Sequence, residues 1–164
     1  MEFNRVSKQE LEVISKLAYQ IWPSAYASIL SKEQIDYMLK RFYSLRSLEN
    51  QFDQGHYFFV LKDQETIYGF ASIEFQKELN QAKLHKLYLQ VSSHGKGYGS
   101  FMIDQLEQEL LENHLDRFCL NVNRYNEKAI AFYKNKGFNI EKIEDIDIGQ
   151  GYLMEDYHMS KMIK

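Results

Sequence analysis

Three of the chain's eight glycines lie within five residues, at positions 95, 97 and 99, and this cluster most strongly limits what the chain can fold into. Residues 84–91 before it form a strand-like apolar run, and residues 101–111 after it carry apolar side chains at helical spacing. Residues 117–122 alternate in polarity and predict a second strand. A strand, a glycine-rich turn, a helix and a strand form a crossover unit, which places the two strands parallel in one sheet.

Helical patterns precede this unit, and strand patterns lie on both sides of it. Ser7 with Glu10, and Ser31 with Gln34, are capping-box signatures that start helices. Outside the unit the predicted elements are helices over 7–18, 31–45 and 127–136 and strands over 56–61, 67–75, 138–148 and 152–162. The predicted fold class is α/β (α+β), a mixed and mostly antiparallel sheet of about six to seven strands with a parallel central pair, flanked by helices.

Length and charge narrow the class of protein. A chain of 164 residues with 45% hydrophobic residues predicts a single domain over residues 1–164. A formal net charge of −3 gives no strong basic field, so neither nucleic acid nor an anionic membrane surface is an expected partner. No run of about 18 apolar residues is present, so no segment is expected to cross a membrane.

The cysteine content and the N-terminal segment indicate the cellular compartment to expect. The single cysteine, Cys119, excludes an internal disulfide framework and a cysteine-rich zinc site, and we interpret it as a small buried hydrophobic residue. It suits a reducing compartment. The first 16 residues are charged from position 2 onward and contain no long apolar region of the secretory type. We therefore expect a cytoplasmic protein.

The glycine cluster is a candidate phosphate site, because glycine lets a backbone approach a ligand closely and the following helix offers unpaired N–H groups. The dinucleotide fingerprint does not fit, since its third glycine is missing. A Walker A loop does not fit either, since Gly97 follows Lys96 where Ser or Thr is needed. A third pattern, Q/R-x-x-G-x-G/A, fits His94 to Gly99 except at its first position. A flexible strand-to-helix turn is the alternative interpretation.

A second motif identifies the third pattern as an acyl-CoA loop. Residues 126–138 resemble the N-x-x-A-x-x-x-Y-x-x-x-G-F signature of the GNAT superfamily of acyl-CoA N-acyltransferases, and residues 87–89 resemble that family's fourth-strand motif. The resemblance extends over essentially the whole chain and implies the GNAT fold. Residues 22–26, 31–39 and 156–159 are similar to bacterial spermidine/spermine acetyltransferase-like proteins.

The resemblance implies that acetyl-CoA is the co-substrate and that an amine attacks it directly. Backbone N–H groups around the glycines would wrap the pyrophosphate, and Leu89 and Val91 would pair with the pantetheine arm as an added strand does. His94 stands where the family has Gln or Arg. The implied cofactor-binding residues are Leu89, Val91, His94, Gly95, Lys96, Gly97, Tyr98, Gly99, Ser100 and Asn126.

Two residues are candidates for catalysis. The resemblance points the hydroxyl of Tyr133 at the thioester sulfur, where it would donate a proton to the leaving thiolate; a packed helix tyrosine is the alternative. His85 is the candidate base, because strand alternation places it on the face of Leu87 and an imidazole pKa near 6.5 suits neutral pH. Glu74 or an ordered water are the alternatives for that role.

The acceptor is the least defined part of the prediction. Carboxylates crowd the last two strands, where they would either attract a polycation or form a solvated edge. These carboxylates are Glu141, Glu144, Asp145, Asp147, Glu155 and Asp156. We expect a small-molecule amine such as a polyamine. A protein N-terminus, a ribosomal protein or an antibiotic amine remain alternatives, as does a non-catalytic acyl-CoA-binding domain, and a homodimer is compatible with the resemblance.

Overall fold

The computed structural model describes residues 1–164. Its elements, in chain order, are β1 (Glu2–Arg5), α1 (Glu12–Ala25), α2 (Lys32–Tyr43), α3 (Leu45–Asp53), β2 (His56–Asp63), β3 (Thr66–Gln76), β4 (Gln81–Leu89), α4 (Tyr98–Glu112), β5 (Arg117–Asn123), α5 (Glu127–Asn135), β6 (Asn139–Gly149) and β7 (Tyr152–Met162). Seven strands form one sheet in the order β1-β2-β3-β4-β5-β7-β6. Every neighbouring pair is antiparallel except β4 and β5, which are parallel. The predicted fold class is confirmed.

The N-terminal helices differ in their bounds from the prediction. The backbone N–H of Ser7 donates to Glu10 Oε2, but this capping interaction starts only a short 3-10 turn, and α1 follows it. Pro23 lies inside the last turns of α1 and does not break it. The predicted helix over 31–45 is two helices, because Ser44 is extended and its Oγ caps α3 by accepting from Ser47 N at 3.2 Å.

The sheet is covered on both faces, and each face has its own apolar core. Helices α4 and α5 pack on one face, with Leu106 and Phe138 among the fully buried side chains. Helices α1 to α3 cover the other face, with Leu11, Phe58 and Phe70 at its centre. No helix of the protein is long and apolar enough to span a membrane.

A β-bulge in β4 shapes the centre of the sheet. Ile73 of β3 pairs with Leu84, but the next residue of β3 to pair, Ser72, lies opposite Lys86, so His85 is the extra residue. The parallel pairing of β4 with β5 also ends at Leu84. Beyond this point β4 stays paired with β3, and β5 stays paired with β7. The two central strands therefore separate and leave an opening between them.

Candidate active site

A cavity of about 250 Å³ occupies the opening between β4 and β5. Residues of β4 and β5 form its walls, Tyr133 and Asn126 lie at the α5 side, and helices α1 and α2 with the β6–β7 hairpin close the rest. The hairpin is fastened to α2 by hydrogen bonds from Tyr37 Oη to Ile148 O at 2.5 Å and from Gln34 Nε2 to Leu153 O at 3.0 Å. The cavity is therefore bounded by several elements, which is typical of small-molecule sites.

Tyr133 reaches this cavity from α5. Its ring packs edge-on against Phe132 and Phe138, and only 8% of the residue is exposed. Its hydroxyl makes no hydrogen bond to another protein group. Burial raises the pKa of Tyr133 well above its ordinary value of 10.0, so the hydroxyl stays protonated at neutral pH. The side chain is thus a free proton donor at the edge of the cavity.

The glycine loop has the form of an anion cradle. Gly95 and Gly97 have φ values of +76° and +78°, and a Cβ at either position would have no protein atom within 4 Å. The backbone N–H groups of residues 95–100 donate no hydrogen bond within the protein, since the first amide bonded back to this loop is that of Phe101, to Gly97 O at 3.1 Å. These amides and the N-terminus of α4 suit a phosphate or pyrophosphate.

The remaining residues of the predicted loop differ in their roles. Lys96 is exposed and free to move toward a ligand. The Tyr98 ring packs against Tyr68 at a centroid distance of 5.1 Å, and a Cβ on Gly99 would lie 3.2 Å from the Phe132 ring, so α4 lies close to α5 here. Ser100 Oγ accepts from Lys136 Nζ at 3.0 Å. Lys136 Nζ also pairs with Asp104 at 2.6 Å, so this lysine links α5 to the first turns of α4.

The end of β4 presents backbone groups to the opening. The N–H of Gln90 donates to Tyr68 O on β3 at 2.8 Å. Because successive amides of an extended chain point to opposite sides, those of Leu89 and Val91 point away from β3 and toward the opening. His94 Nε2 lies 3.3 Å from Leu89 O, so the imidazole already covers the carbonyl that an added strand would use.

Asn126 stands where α5 meets the cavity. Its Oδ1 accepts from Ala129 N at 3.2 Å and caps the helix, as expected for this residue type at an N-cap. The side-chain amide nitrogen is left for a ligand. Asn126 lines the cavity together with Ala129 and Tyr133, one and two turns further along α5.

The prediction that His85 shares a face with Leu87 is wrong. The bulge turns His85 to the face covered by α1 to α3, where its ring stacks on His56 at 4.4 Å and its Nε2 lies 3.3 Å from Glu74 Oε1. Leu87 packs on the opposite core. The pKa of His85 is lowered to about 3. Burial is the main cause, and the neighbouring His56 contributes to the same lowering. His85 is therefore a weak base where it stands.

Asp156 is the one carboxylate of the cavity. It lies on β7, is 6% exposed, and no basic side chain lies within 4 Å of its carboxylate. Its only side-chain partner is Asn121 Nδ2 at 3.4 Å, and that amide also donates to Glu144 at 3.2 Å. Burial raises the pKa of Asp156 from 3.8 to about 6, and the Glu144 charge adds to the rise. An unpaired, buried carboxylate attracts a cationic ligand.

An aromatic wall lines the same cavity as Asp156, and no continuous sequence motif marks it. We define it as Trp22, Tyr26, Tyr43 and Tyr88, whose neighbouring rings lie 4.5–6.2 Å apart. The hydroxyls of Tyr26 and Tyr88 are 2.9 Å apart. Burial raises the pKa of Tyr26 to about 12, and the Asp156 charge contributes, so the two residues are electrostatic neighbours. Ring faces beside a carboxylate suit an ammonium group.

The other carboxylates of β6 and β7 do not form a wall of this cavity. Glu141 pairs with Arg117, and Asp145 pairs with Arg124 at 2.8 Å. Both pairs are at the surface. Of the carboxylates on the last two strands, Asp156 lines the cavity and Glu144 lies next to it. The others fit the alternative interpretation, a solvated edge of the sheet. Cys119 is buried and burial raises the pKa of its thiol, in agreement with its interpretation as a core residue.

Comparison with known proteins indicates the same family as the glycine loop and the motif over residues 126–138 do. A sequence profile of the acetyltransferase (GNAT) family matches residues 16–138. The chain is 28% identical over 165 residues to a spermidine N(1)-acetyltransferase of Thermoplasma acidophilum, covering 98% of this chain and 99% of that protein. Its structure matches that of PaiA N-acetyltransferase from Thermoplasma acidophilum in complex with coenzyme A, with a TM-score of 0.80, 27% identity and 98% of each chain covered.

A GCN5-related N-acetyltransferase from Rhodopseudomonas palustris has the same fold, with a TM-score of 0.83 at 15% identity and with 99% of this chain and 95% of that chain covered. The family profile covers most of the chain, and it includes both the glycine loop and Tyr133. The chain therefore belongs to the acetyltransferase (GNAT) family and is an acetyl-CoA-dependent N-acetyltransferase.

Proposed function

We propose that the protein acetylates a primary amine of a small polycation of the spermidine type, by direct attack of the amine in a ternary complex. The observation that carries this proposal is the cavity between β4 and β5, which is lined both by Tyr133 and by the unpaired carboxylate of Asp156. The spermidine N(1)-acetyltransferase of Thermoplasma acidophilum, 28% identical over nearly the whole chain, supports the same acceptor class.

The donor side is assigned to the glycine loop and the end of β4. Acetyl-CoA supplies the thioester. The free amides of residues 95–100 would bind its pyrophosphate at the N-terminus of α4, with Lys96 adding charge. The Leu89 and Val91 amides would bind the pantetheine arm, for which the His94 ring must leave the Leu89 carbonyl. The side-chain amide of Asn126 would hold the same arm at α5.

The acceptor side is assigned to Asp156 and the aromatic wall. Asp156 would hold an ammonium group of the acceptor by charge, and the ring faces of Trp22 and Tyr26 would contact it by cation–π attraction. The hairpin is tied to α2 by two hydrogen bonds, and the enclosed volume of about 250 Å³ favours a small amine over a folded protein surface.

Deprotonation of the amine and stabilisation of the thiolate are assigned to one residue each. An amine attacks only when neutral, so its proton must leave first. Asp156, with a pKa of about 6, is a better acceptor for that proton than His85, whose pKa is about 3 and whose Nε2 faces Glu74. The Tyr133 hydroxyl, which its raised pKa keeps protonated, would then donate a hydrogen bond to the departing sulfur. This bond would stabilise the thiolate, and CoA would leave in that form.

An acceptor panel tests the proposal. Spermidine, spermine, a lysine-bearing peptide, an aminoglycoside and an N-terminal peptide are assayed for CoA release at two salt concentrations. We expect a preference for spermidine or spermine, with a KM that rises with salt because the attraction is screened. Turnover confined to peptides or to the aminoglycoside would contradict the polyamine assignment.

A pair of carboxylate variants tests the assigned anchor. Asp156→Asn should raise the KM for spermidine by at least about 30-fold, the effect of leaving one member of a buried charge pair without its partner. Glu155→Gln is the control, because Glu155 is the adjacent residue and its carboxylate pairs with Arg124 outside the cavity, at 3.7 Å. Equal KM values for the two variants would remove Asp156 from the acceptor site.

A further inference from the structure

Three side chains with metal-ligating atoms meet on the α1–α3 face of the sheet. His56 and Glu74 do not line the cavity between β4 and β5, whereas His85 borders both the cluster and that cavity. His56, Glu74 and His85 belong to the neighbouring strands β2, β3 and β4. His56 lies directly opposite Glu74 in the β2–β3 register, and the bulge in β4 turns His85 toward both. One ligand atom from each residue lies within 4.8 Å of the other two. Rigid strands thus hold all three.

The distances within this cluster fit ligands around a common centre. His85 Nε2 is 3.3 Å from one oxygen of Glu74, and His56 Nε2 is 3.6 Å from the other. Both distances exceed the roughly 2.7–2.9 Å of a charge-assisted hydrogen bond. Each is similar to the edge of about 3.3–3.6 Å that a tetrahedron has when its centre lies about 2.0–2.2 Å from each ligand, and the two distances run to different oxygens of the carboxylate.

An outer shell fixes the carboxylate. Gln76 Nε2 donates to Glu74 Oε1 at 2.8 Å, Gln81 Nε2 donates to Gln76 at 2.6 Å, and Arg117 donates to Gln81 at 2.9 Å. Metal sites depend on such outer partners to orient their ligands. The two imidazole rings are instead stacked on each other with an angle of 24° between their planes, and His56 Nδ1 is buried without a hydrogen-bond partner.

The fourth direction is open. A pocket of about 400 Å³ adjoins both histidines. It is lined by polar side chains of α3 and of the residue that follows it, and by the cationic Arg41 of α2; the polar residues are Ser47, Asn50, Gln51 and Gln54. Lys86 also lines this pocket, but its Nζ is engaged by Gln51 Oε1 at 2.7 Å and lies over the Tyr43 ring. Two histidines, one glutamate and an open position form a ligand set typical of catalytic zinc.

We propose that His56, Glu74 and His85 bind a divalent transition-metal ion of the zinc class, with water or a small oxygen ligand in the pocket as the fourth ligand. Its ligands are not among the residues assigned above to acetyl-CoA or to the acceptor, but His85 also borders the cavity between β4 and β5. The test of the metal site does not depend on the acceptor. The ion would join β2, β3 and β4 next to the bulge.

Metal binding to the chelator-treated protein tests this proposal. Titration calorimetry with Zn²⁺ should give one site, and Co²⁺ should give the intense visible absorption of a tetrahedral complex. His56→Ala and His85→Ala should each lower the Zn²⁺ affinity by about 100-fold or more, since losing an outer-shell partner alone costs 10–100-fold. Glu74→Gln should also weaken binding. His114→Asn, which removes a histidine far along the chain at the end of α4, should bind as the unmodified protein does.

Two results would overturn the metal site. One is the absence of both Zn²⁺ heat and tetrahedral Co²⁺ absorption in the unmodified protein, a result that needs no variant to fold. The other is equal Zn²⁺ affinity in the unmodified protein and in His56→Ala and His85→Ala. Lys86→Met tests whether the pocket binds a cation or an anion. Removing this positive charge should tighten Zn²⁺ binding, and loss of Zn²⁺ binding would contradict the proposal.

Discussion

Asp156→Asn should make the protein more stable at neutral pH, although it removes a group that we assign to the acceptor site. Asp156 is 6% exposed, and no basic side chain lies within 4 Å of its carboxylate. Burial raises its pKa from 3.8 to about 6. At about 1.36 kcal/mol per pKa unit, keeping this group ionised in the folded protein costs about 3 kcal/mol.

The pH dependence of this effect follows from the two pKa values. In the unfolded chain Asp156 ionises above pH 3.8, whereas in the folded protein it stays protonated until about pH 6. The cost is therefore absent below pH 3.8, develops between the two values, and is complete above pH 6. Asparagine is uncharged throughout, has nearly the same shape, and can still accept from Asn121.

Urea unfolding from pH 3.5 to pH 8 measures the effect. At pH 7.5 Asp156→Asn should add up to about 3 kcal/mol to the free energy of unfolding, which for a chain of this size raises Tm by roughly 6–12 °C. Near pH 3.5 the gain should vanish. Glu155→Gln is the control: the Glu155 side chain is 43% exposed, so its replacement should change stability by less than about 1 kcal/mol. If Asp156→Asn does not raise the free energy of unfolding at pH 7.5, or raises it equally at pH 3.5, the buried carboxylate of Asp156 does not carry the expected cost of ionisation.

Two further predictions concern the donor side. Tyr133→Phe should lower kcat about 10²-fold, which corresponds to about 2.7 kcal/mol of activation free energy. The acetyl-CoA Kd and the free energy of unfolding should hardly change, because the hydroxyl has no protein partner. An unchanged kcat with a good acceptor would refute the role of Tyr133 as a donor to the thiolate. Gly97→Val should weaken acetyl-CoA binding measured by calorimetry. Gly151→Val is its control, since Gly151 has a similar φ of +80° and equally open surroundings, and equal loss in both variants would mean that backbone strain alone is responsible.

Local patterns were sufficient for the order and type of most elements. The apolar alternation of residues 117–122 and the glycine cluster predicted the parallel pair, which the structure has between Gln81–Leu84 and Arg117–Leu120. Ser31 caps α2 through Gln34 N at 3.1 Å, as its spacing predicted. The short edge strand β1 was missed, because four residues with one half-buried side chain leave no clear period.

The candidate site was predictable only where it is built by a continuous motif. The loop at 94–100 and Tyr133 belong to such motifs. The aromatic wall does not, since Trp22, Tyr43 and Tyr88 come from two helices and a strand and meet only in the fold. Trp22 and Tyr26, four residues apart, were the one local signal for this surface. The burial of Lys86 at 7% exposure had no signal at all, because an alternating strand pattern would put a lysine in solvent.

The bulge at His85 shows why a single extra residue limits prediction from alternation. Counting by two from Leu87 puts His85 on the α4–α5 face, but the extra residue shifts that count, so His85 and Lys86 both lie toward α1–α3. The same position ends the pairing of β4 with β5, because a bulged strand bends away from its neighbour. One irregularity therefore opens the cavity that holds Tyr133 and Asp156 and, on the other face, brings His85 to His56 and Glu74. Deleting His85 would restore regular pairing, and the cavity and the cluster would be lost together.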